Sequence, residues 1–239
     1  MSDKTAVVLG GTSGIGLATA VMLSARGAQV HVSGRDQGRL DAVREKYPDL
    51  EAHSSDGRSR DAAEELFASI GSIDWLVLAL SGGAGAGPLA SLDLDALRGA
   101  FDAKFWAQLT SAQVALPHLA PEGSITFIGA ASARSSLPGT AGLAAVNGAI
   151  EAMVKPLAVE LAPIRVNAVS PGITDTPWWS GMPAEMRDSY FEQARTVLPV
   201  RRVATPEDVA ESVVLVATNP NLTGTVIESD GGGRLVPLG

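Results

Sequence analysis

The sequence predicts an α/β fold: one doubly wound parallel sheet of about seven strands, with helices on both faces. Three observations predict it. Short apolar runs rich in β-branched residues alternate with helical stretches from residue 5 to residue 229. The first such run leads at once into a glycine-rich turn, Gly10-Gly11-Thr12-Ser13-Gly14-Ile15-Gly16. The chain has 239 residues, 46 % of them hydrophobic, which is enough for one large core. No linker, repeat or low-complexity tract interrupts it, so residues 1–239 read as a single domain.

Each element follows from its own signals. Thr5 to Leu9 suits a strand buried on both faces. Ile15 to Ala25 is helical and closes at Gly27. Gln29 to Ser33 is a second strand, and Asp36 to Lys46 a helix stopped by Pro48. Leu50 to Ser54 is a weaker strand, followed by a mixed-charge helix from Ser59 to Ile70. Ile73 to Leu80 is the strongest apolar run of this half, with a glycine-rich loop from Ser81 to Pro88 behind it. One helix covers about Asp93 to Leu119, and Ser124 to Ala130 is the fifth strand. An alanine-rich helix lies within Gly139 to Leu161, and Arg165 to Ser170 is the sixth strand, ending at Pro171-Gly172. Residues 174–199 carry Trp178-Trp179, prolines and charges without one clean period, and read as a short helical lid inserted over a site. Pro206 to Ala217 is a helix with proline in its first turn, and Thr225 to Ser229 is the last strand. Right-handed crossovers wind such strands into one sheet.

Composition removes several function classes. Asp and Glu number 26 against 18 Lys and Arg, a net charge of −8, which argues against a nucleic-acid partner. With no cysteine there is no disulfide, thiolate nucleophile or cysteine metal site. Met1-Ser2-Asp3-Lys4 runs straight into a strand, with no basic stretch followed by a long apolar run, so no signal peptide is expected. No window approaches the roughly 20 uninterrupted apolar residues of a membrane helix. A soluble, cytoplasmic protein with no membrane partner is expected. His31, His53 and His118 are scattered, no pair has metal-ligand spacing, and no metal site is expected.

The glycine turn sits between the first strand and the first helix, at the strand ends where ligands bind in such sheets. Gly10 permits the sharp turn, Gly14 lets backbone approach a pyrophosphate, and Gly16 lets the helix pack closely. Thr12, Ser13 and Ile15 complete the loop, and the helix start offers free N–H groups and a positive dipole end. A nucleotide is the expected ligand.

The spacing is G-x-x-x-G-x-G rather than G-x-G-x-x-G, and it resembles the short-chain dehydrogenase/reductase family, a Rossmann-type group. Further blocks match in order: Ile73-Asp74-Trp75-Leu76-Val77, then Ile164 to Gly172, Arg202 to Ala210, and Thr223 to Gly232. The resemblance implies a nicotinamide cofactor. At the end of the second strand, Gly34 stands where an NAD enzyme of this family places its acid, and Arg35 follows. A guanidinium suits a phosphate, so the resemblance implies NADP(H). NAD(H) is the weaker alternative, with Asp36 on the ribose. Asp56 matches the acid near the adenine, and Thr176 the threonine that holds the nicotinamide carboxamide. Pro171, Gly172 and the backbone of Ile173 frame that loop.

The family's usual chemistry needs a tyrosine and a lysine one helical turn apart, a serine at the end of the fifth strand, and an asparagine on the preceding helix. Anchored on Leu157-Ala158-Val159-Glu160, the tyrosine position falls at Leu143, the lysine position at Asn147, the serine position at Ala130 and the asparagine position at Lys104. The chain has only two tyrosines, Tyr47 and Tyr190, and neither has a lysine four residues later. Lys155 reads as a surface residue. Three groups remain for the chemistry: Lys104 as an ammonium near ribose or substrate, Ser132 two residues past Ala130, and Asn147 on a ribose hydroxyl. Two functions are open. One is an NADP(H)-dependent oxidoreductase acting on a small, apolar molecule that needs little protein acid, such as an imine. The other is a catalytically inactive NADP(H)-binding protein. The resemblance also implies a homodimer or homotetramer.

Overall fold

The computed structural model describes residues 3–236. Seven parallel strands form one sheet in the order β3-β2-β1-β4-β5-β6-β7. The strands are β1 (Thr5–Leu9), β2 (Gln29–Gly34), β3 (Leu50–Ser54), β4 (Ile73–Leu78), β5 (Leu119–Ile128), β6 (Arg165–Pro171) and β7 (Val226–Ser229). The order reverses between β1 and β4, and a crevice opens at such a reversal beyond the carboxyl ends of the strands.

Alternation along the strands builds two apolar layers. On one face Val8, Val30, Val32 and Val77 pack with Ala20 and Leu23 of α1 (Gly14–Ala25) and Val213 of α8 (Pro206–Thr218). On the other, Val7, Leu76, Ile125 and Phe127 meet Phe67 of α3 (Arg60–Ile70) and Ile150 of α6 (Ala141–Glu160). Helix α6 is long and apolar enough, by length and composition, to cross a membrane. Its Val146, Ile150 and Val154 are buried in this protein, which accounts for that character. Helix α2 (Gln37–Lys46) starts at Asp36, whose carboxylate accepts the Arg39 N–H at 2.9 Å.

Two segments differ from the sequence expectation. The single helix expected over Asp93 to Leu119 is α4 (Leu94–Ala100), a π-helical turn (Phe101–Trp106), α5 (Ala107–Ala115) and a 3₁₀ turn. Pro117 cannot continue the helical hydrogen bonding, and β5 begins at Leu119 rather than Ser124. Residues 174–199 hold more helix than expected: a 3₁₀ turn (Pro177–Gly181) and the 14-residue α7 (Ala184–Val197).

Candidate functional site

A cleft of about 850 Å³ runs across the carboxyl ends of β1 to β6, and every site residue named from the sequence lines it. At the β1 end, Gly10 has φ +77°, and a Cβ there would sit 2.6 Å from the Ala79 carbonyl oxygen. A Cβ on Gly16 would collide with the Gly10 carbonyl, so α1 seats directly on the turn. Ser13 is the N-cap of α1, but its hydroxyl makes no capping bond. It accepts from Arg39 Nη1 at 3.3 Å instead, so no serine hydroxyl occupies the first N–H groups of α1.

Arg35 lies exposed at the cleft edge beyond β2. Asp36, the residue that would serve an NAD ribose, spends Oδ1 on capping α2. Two further guanidiniums, Arg39 and Arg58, line this end and were not named from the sequence. The α2 cap places Arg39 there, and local pattern carries no signal for it. Asp56 lines the cleft with its carboxylate held by Arg58 at 2.7 Å, and that pairing keeps it below the ordinary carboxylate range. Across the cleft, the loop after β6 brings Thr176 against Gly14; a Cβ on Gly14 would lie 3.3 Å from the threonine Cβ. Thr176 precedes the 3₁₀ turn, yet its side chain makes no cap bond.

The β4–β6 end holds the groups that can do chemistry. Lys104, on the π-helical turn, is 8 % exposed. Its Nζ donates to Asn147 Oδ1 at 2.7 Å and to the Gly129 carbonyl at 3.0 Å. Among the described residues no carboxylate pairs with it, and burial pushes its pKa down to about 8. Asn147 Nδ2 donates to Ser132 Oγ at 3.1 Å and to the Leu143 carbonyl at 2.9 Å. Lys104, Asn147 and Ser132 are therefore one hydrogen-bonded chain, with Leu143 one turn before Asn147 on the same helix face. Gln108, one turn after Lys104, was also not named from the sequence. Its Nε2 bonds the carbonyls of Leu80 and Ile128 and ties the ends of β4 and β5 together.

The segment after β6 supplies aromatic walls. Trp178, Trp179 and Tyr190 line the cleft. The indole N–H of Trp178 reaches the Gly82 carbonyl at 3.3 Å, and that of Trp179 the Thr174 carbonyl at 2.8 Å. Tyr190 stacks 5.4 Å from Trp179, and burial raises its phenol above its ordinary value. Tyr47 ends α2 beside Lys46, away from the cleft. Lys155 is exposed.

Two of the histidines that are scattered along the sequence, His31 and His53, meet in space. Sequence spacing sees only neighbours along the chain, whereas β2 and β3 pair in parallel with His31 opposite Glu51 and Ser33 opposite His53. That register brings His31 Nδ1 to 3.0 Å from His53 Nε2 and 3.4 Å from Glu51 Oε2.

A family model described as enoyl-(acyl carrier protein) reductase matches residues 10–233. The cis-4-hydroxycyclohexanecarboxylate dehydrogenase of Sinomonas cyclohexanicum is 32 % identical over 244 residues, covering 97 % of this chain and 96 % of its own. The chain is a short-chain dehydrogenase/reductase. A small-chain dehydrogenase solved with NADPH superposes with a TM-score of 0.85 at 35 % identity, covering 97 % of this chain and 99 % of its own. An NADPH-bound short-chain oxidoreductase from Pseudomonas aeruginosa, described as containing an atypical catalytic centre, gives 0.87 at 25 % identity and 97 % coverage of both chains.

Proposed function

We propose that this short-chain dehydrogenase/reductase is an NADPH-dependent reductase in which Lys104 donates the proton that a tyrosine supplies in most of the family. The observation that carries the reading is the state of Lys104. It is a buried cation with two hydrogen-bond acceptors, a third N–H left over, and a pKa of about 8. A general acid works best when its pKa lies near the working pH. The glycine turn, Arg35 with Arg39, and Thr176 fit a dinucleotide carrying a 2′-phosphate, and the NADPH-bound relatives support it. NADPH would lie along the glycine turn and supply a hydride to the substrate.

The chain's own residues complete the step. Hydride addition leaves an electron pair on the substrate's oxygen or nitrogen, and one proton must reach it. Lys104 gives that proton from the N–H not bonded to Gly129 or Asn147, becoming a neutral amine that recovers a proton from solvent. Ser132 accepts from Asn147, so its own O–H is free to orient the same substrate atom. Asn147 has both ends of its amide engaged and positions the other two. Leu143 and the lid tryptophans favour an apolar substrate, and an imine suits a site with one modest acid. Exposed Trp106 and Val159 on helix faces support a homodimer or homotetramer, and a cytoplasmic location belongs to the same reading.

NADPH oxidation against imine and ketone panels tests this in wild type and Lys104→Ala. Turnover that falls at least about a hundredfold in the variant, with NADPH binding retained, supports it. Unchanged turnover overturns it. NADPH binding with no turnover on any panel favours the non-catalytic reading.

A further inference from the structure

The cluster of His31, Glu51 and His53 lies outside the cleft and takes no part in the chemistry proposed above. We infer that it is a binding site for a divalent transition-metal ion of the zinc class, held by two imidazoles and one carboxylate, with water completing the coordination.

The distances carry the inference. Four ligands around zinc at about 2.0–2.1 Å stand about 3.3 Å apart along the edges of their tetrahedron. His31 Nδ1 is 3.0 Å from His53 Nε2 and 3.4 Å from Glu51 Oε2, and one ligand atom from each of the three lies within 4.8 Å of the others. An ion therefore fits between them with little movement. Backbone pairing sets the arrangement: Glu51 and His53 share one face of β3, and His31 faces them from β2.

The chemistry agrees with the geometry. Imidazole must be neutral to bind a metal, and burial lowers the pKa of both histidines. The two rings already meet nitrogen to nitrogen, so binding only moves a proton to the far nitrogen of one ring. Gln29 Nε2 holds Glu51 Oε1 at 2.8 Å, leaving Oε2 turned to the histidines, as outer-shell partners do in metal sites. His31 is buried, His53 half-buried and Glu51 exposed, so a rigid ligand sits at the base and solvent reaches the mouth. Arg44 is a positive neighbour of His53, but it is engaged by Asp41 and the Ala52 carbonyl. Imidazole and carboxylate together select zinc, cobalt or nickel over magnesium or calcium.

Untagged protein, stripped with a chelator and titrated with Co²⁺ in the visible range, tests this. The expected result is one equivalent of bound Co²⁺ with tetrahedral d–d bands, displaced by Zn²⁺. His53→Gln and Glu51→Gln weaken binding at least about tenfold, whereas His118→Gln does not. Thermal shift with NADPH serves as the folding check on each variant and should not respond to the chelator, so failure here stays separate from failure of the cofactor reading. If His53→Gln does not fold, the exposed Glu51→Gln and the wild-type bands decide. Absence of the bands in wild type, or equal affinity in wild type and Glu51→Gln, overturns the inference and leaves a hydrogen-bonded histidine pair.

Discussion

The two ends of the cleft are built on different logic. Over β1 to β3 the cradle depends on backbone: a glycine with φ +77°, a helix start with no serine side chain on it, and a loop that brings Thr176 to Gly14. Over β4 to β6 the site depends on side chains. Lys104, Asn147 and Ser132 form one hydrogen-bonded chain there, beside Leu143. Backbone N–H groups recognise phosphates whatever the neighbouring side chains are, so the first end tolerates divergence. Chemistry depends on side-chain identity, so a substitution at the second end should leave the first undisturbed.

The largest effect should come from breaking the β4–β6 end. Lys104→Ala should lower kcat by about 10²–10⁴ and leave NADPH affinity within about threefold, because a lost general acid acts on the chemical step. Lys104→Arg keeps the charge but cannot give up a proton near neutrality, and it should not rescue turnover. Steady-state kinetics with separate kcat and KM values check both.

The pH dependence of that lysine sharpens the contrast. Its folded pKa of about 8 lies below the ordinary 10.5. The acid form is lost as pH rises through 8, so turnover should fall above that point. The stability contribution runs the other way. Between about 8 and 10.5 the unfolded chain holds a proton on Lys104 that the folded chain lacks, so this group's contribution to unfolding free energy rises with pH across that window. Opposite slopes in kcat and in denaturant midpoint over the same window distinguish a buried acid from a surface lysine. Lys104→Met should abolish both slopes.

The first end should yield a smaller and more selective loss. Arg35→Ala together with Arg39→Ala should weaken NADPH about tenfold and leave NADH within a factor of about two, since exposed guanidiniums are screened by solvent. Isothermal titration with both nucleotides measures the ratio. Equal losses for the two would remove the 2′-phosphate argument.

What the sequence disclosed follows the same division. The strand set, the glycine turn and the Pro171–Thr176 loop are legible because apolar runs and backbone needs leave local marks. The burial of Lys104 was not legible, because no local pattern says that a lysine will be buried. The π-helical turn beneath Lys104 was not legible, since Phe101, Phe105 and Trp106 fit an ordinary helix equally well by composition. Helix α7 was hidden because only Phe191 and Ala194 are buried along its 14 residues, too few for a clear period. Arg39, Arg58 and the His31–His53 pair depend on caps and strand register, which are set between elements rather than within them.

The smallest effect belongs to the Trp178 segment, where the two ends meet. Trp178 donates from its indole to the Gly82 carbonyl in the loop after β4, a bond across 96 positions of sequence. Trp178→Phe keeps an aromatic wall but removes that donor. A single neutral hydrogen bond contributes about 0.5–1.5 kcal/mol, and this one is partly open to solvent, so the lower part of the range applies. The expected result is a two- to threefold rise in substrate KM, by the same estimate, with kcat and NADPH affinity unchanged. Loss of kcat instead would place Trp178 in the chemical step and tie it to Lys104. Loss of NADPH affinity would mean that the tryptophan, and not the glycine turn alone, closes over the nucleotide. Either result would move the boundary between the two ends of the cleft, which otherwise lies between Thr176 and Trp178.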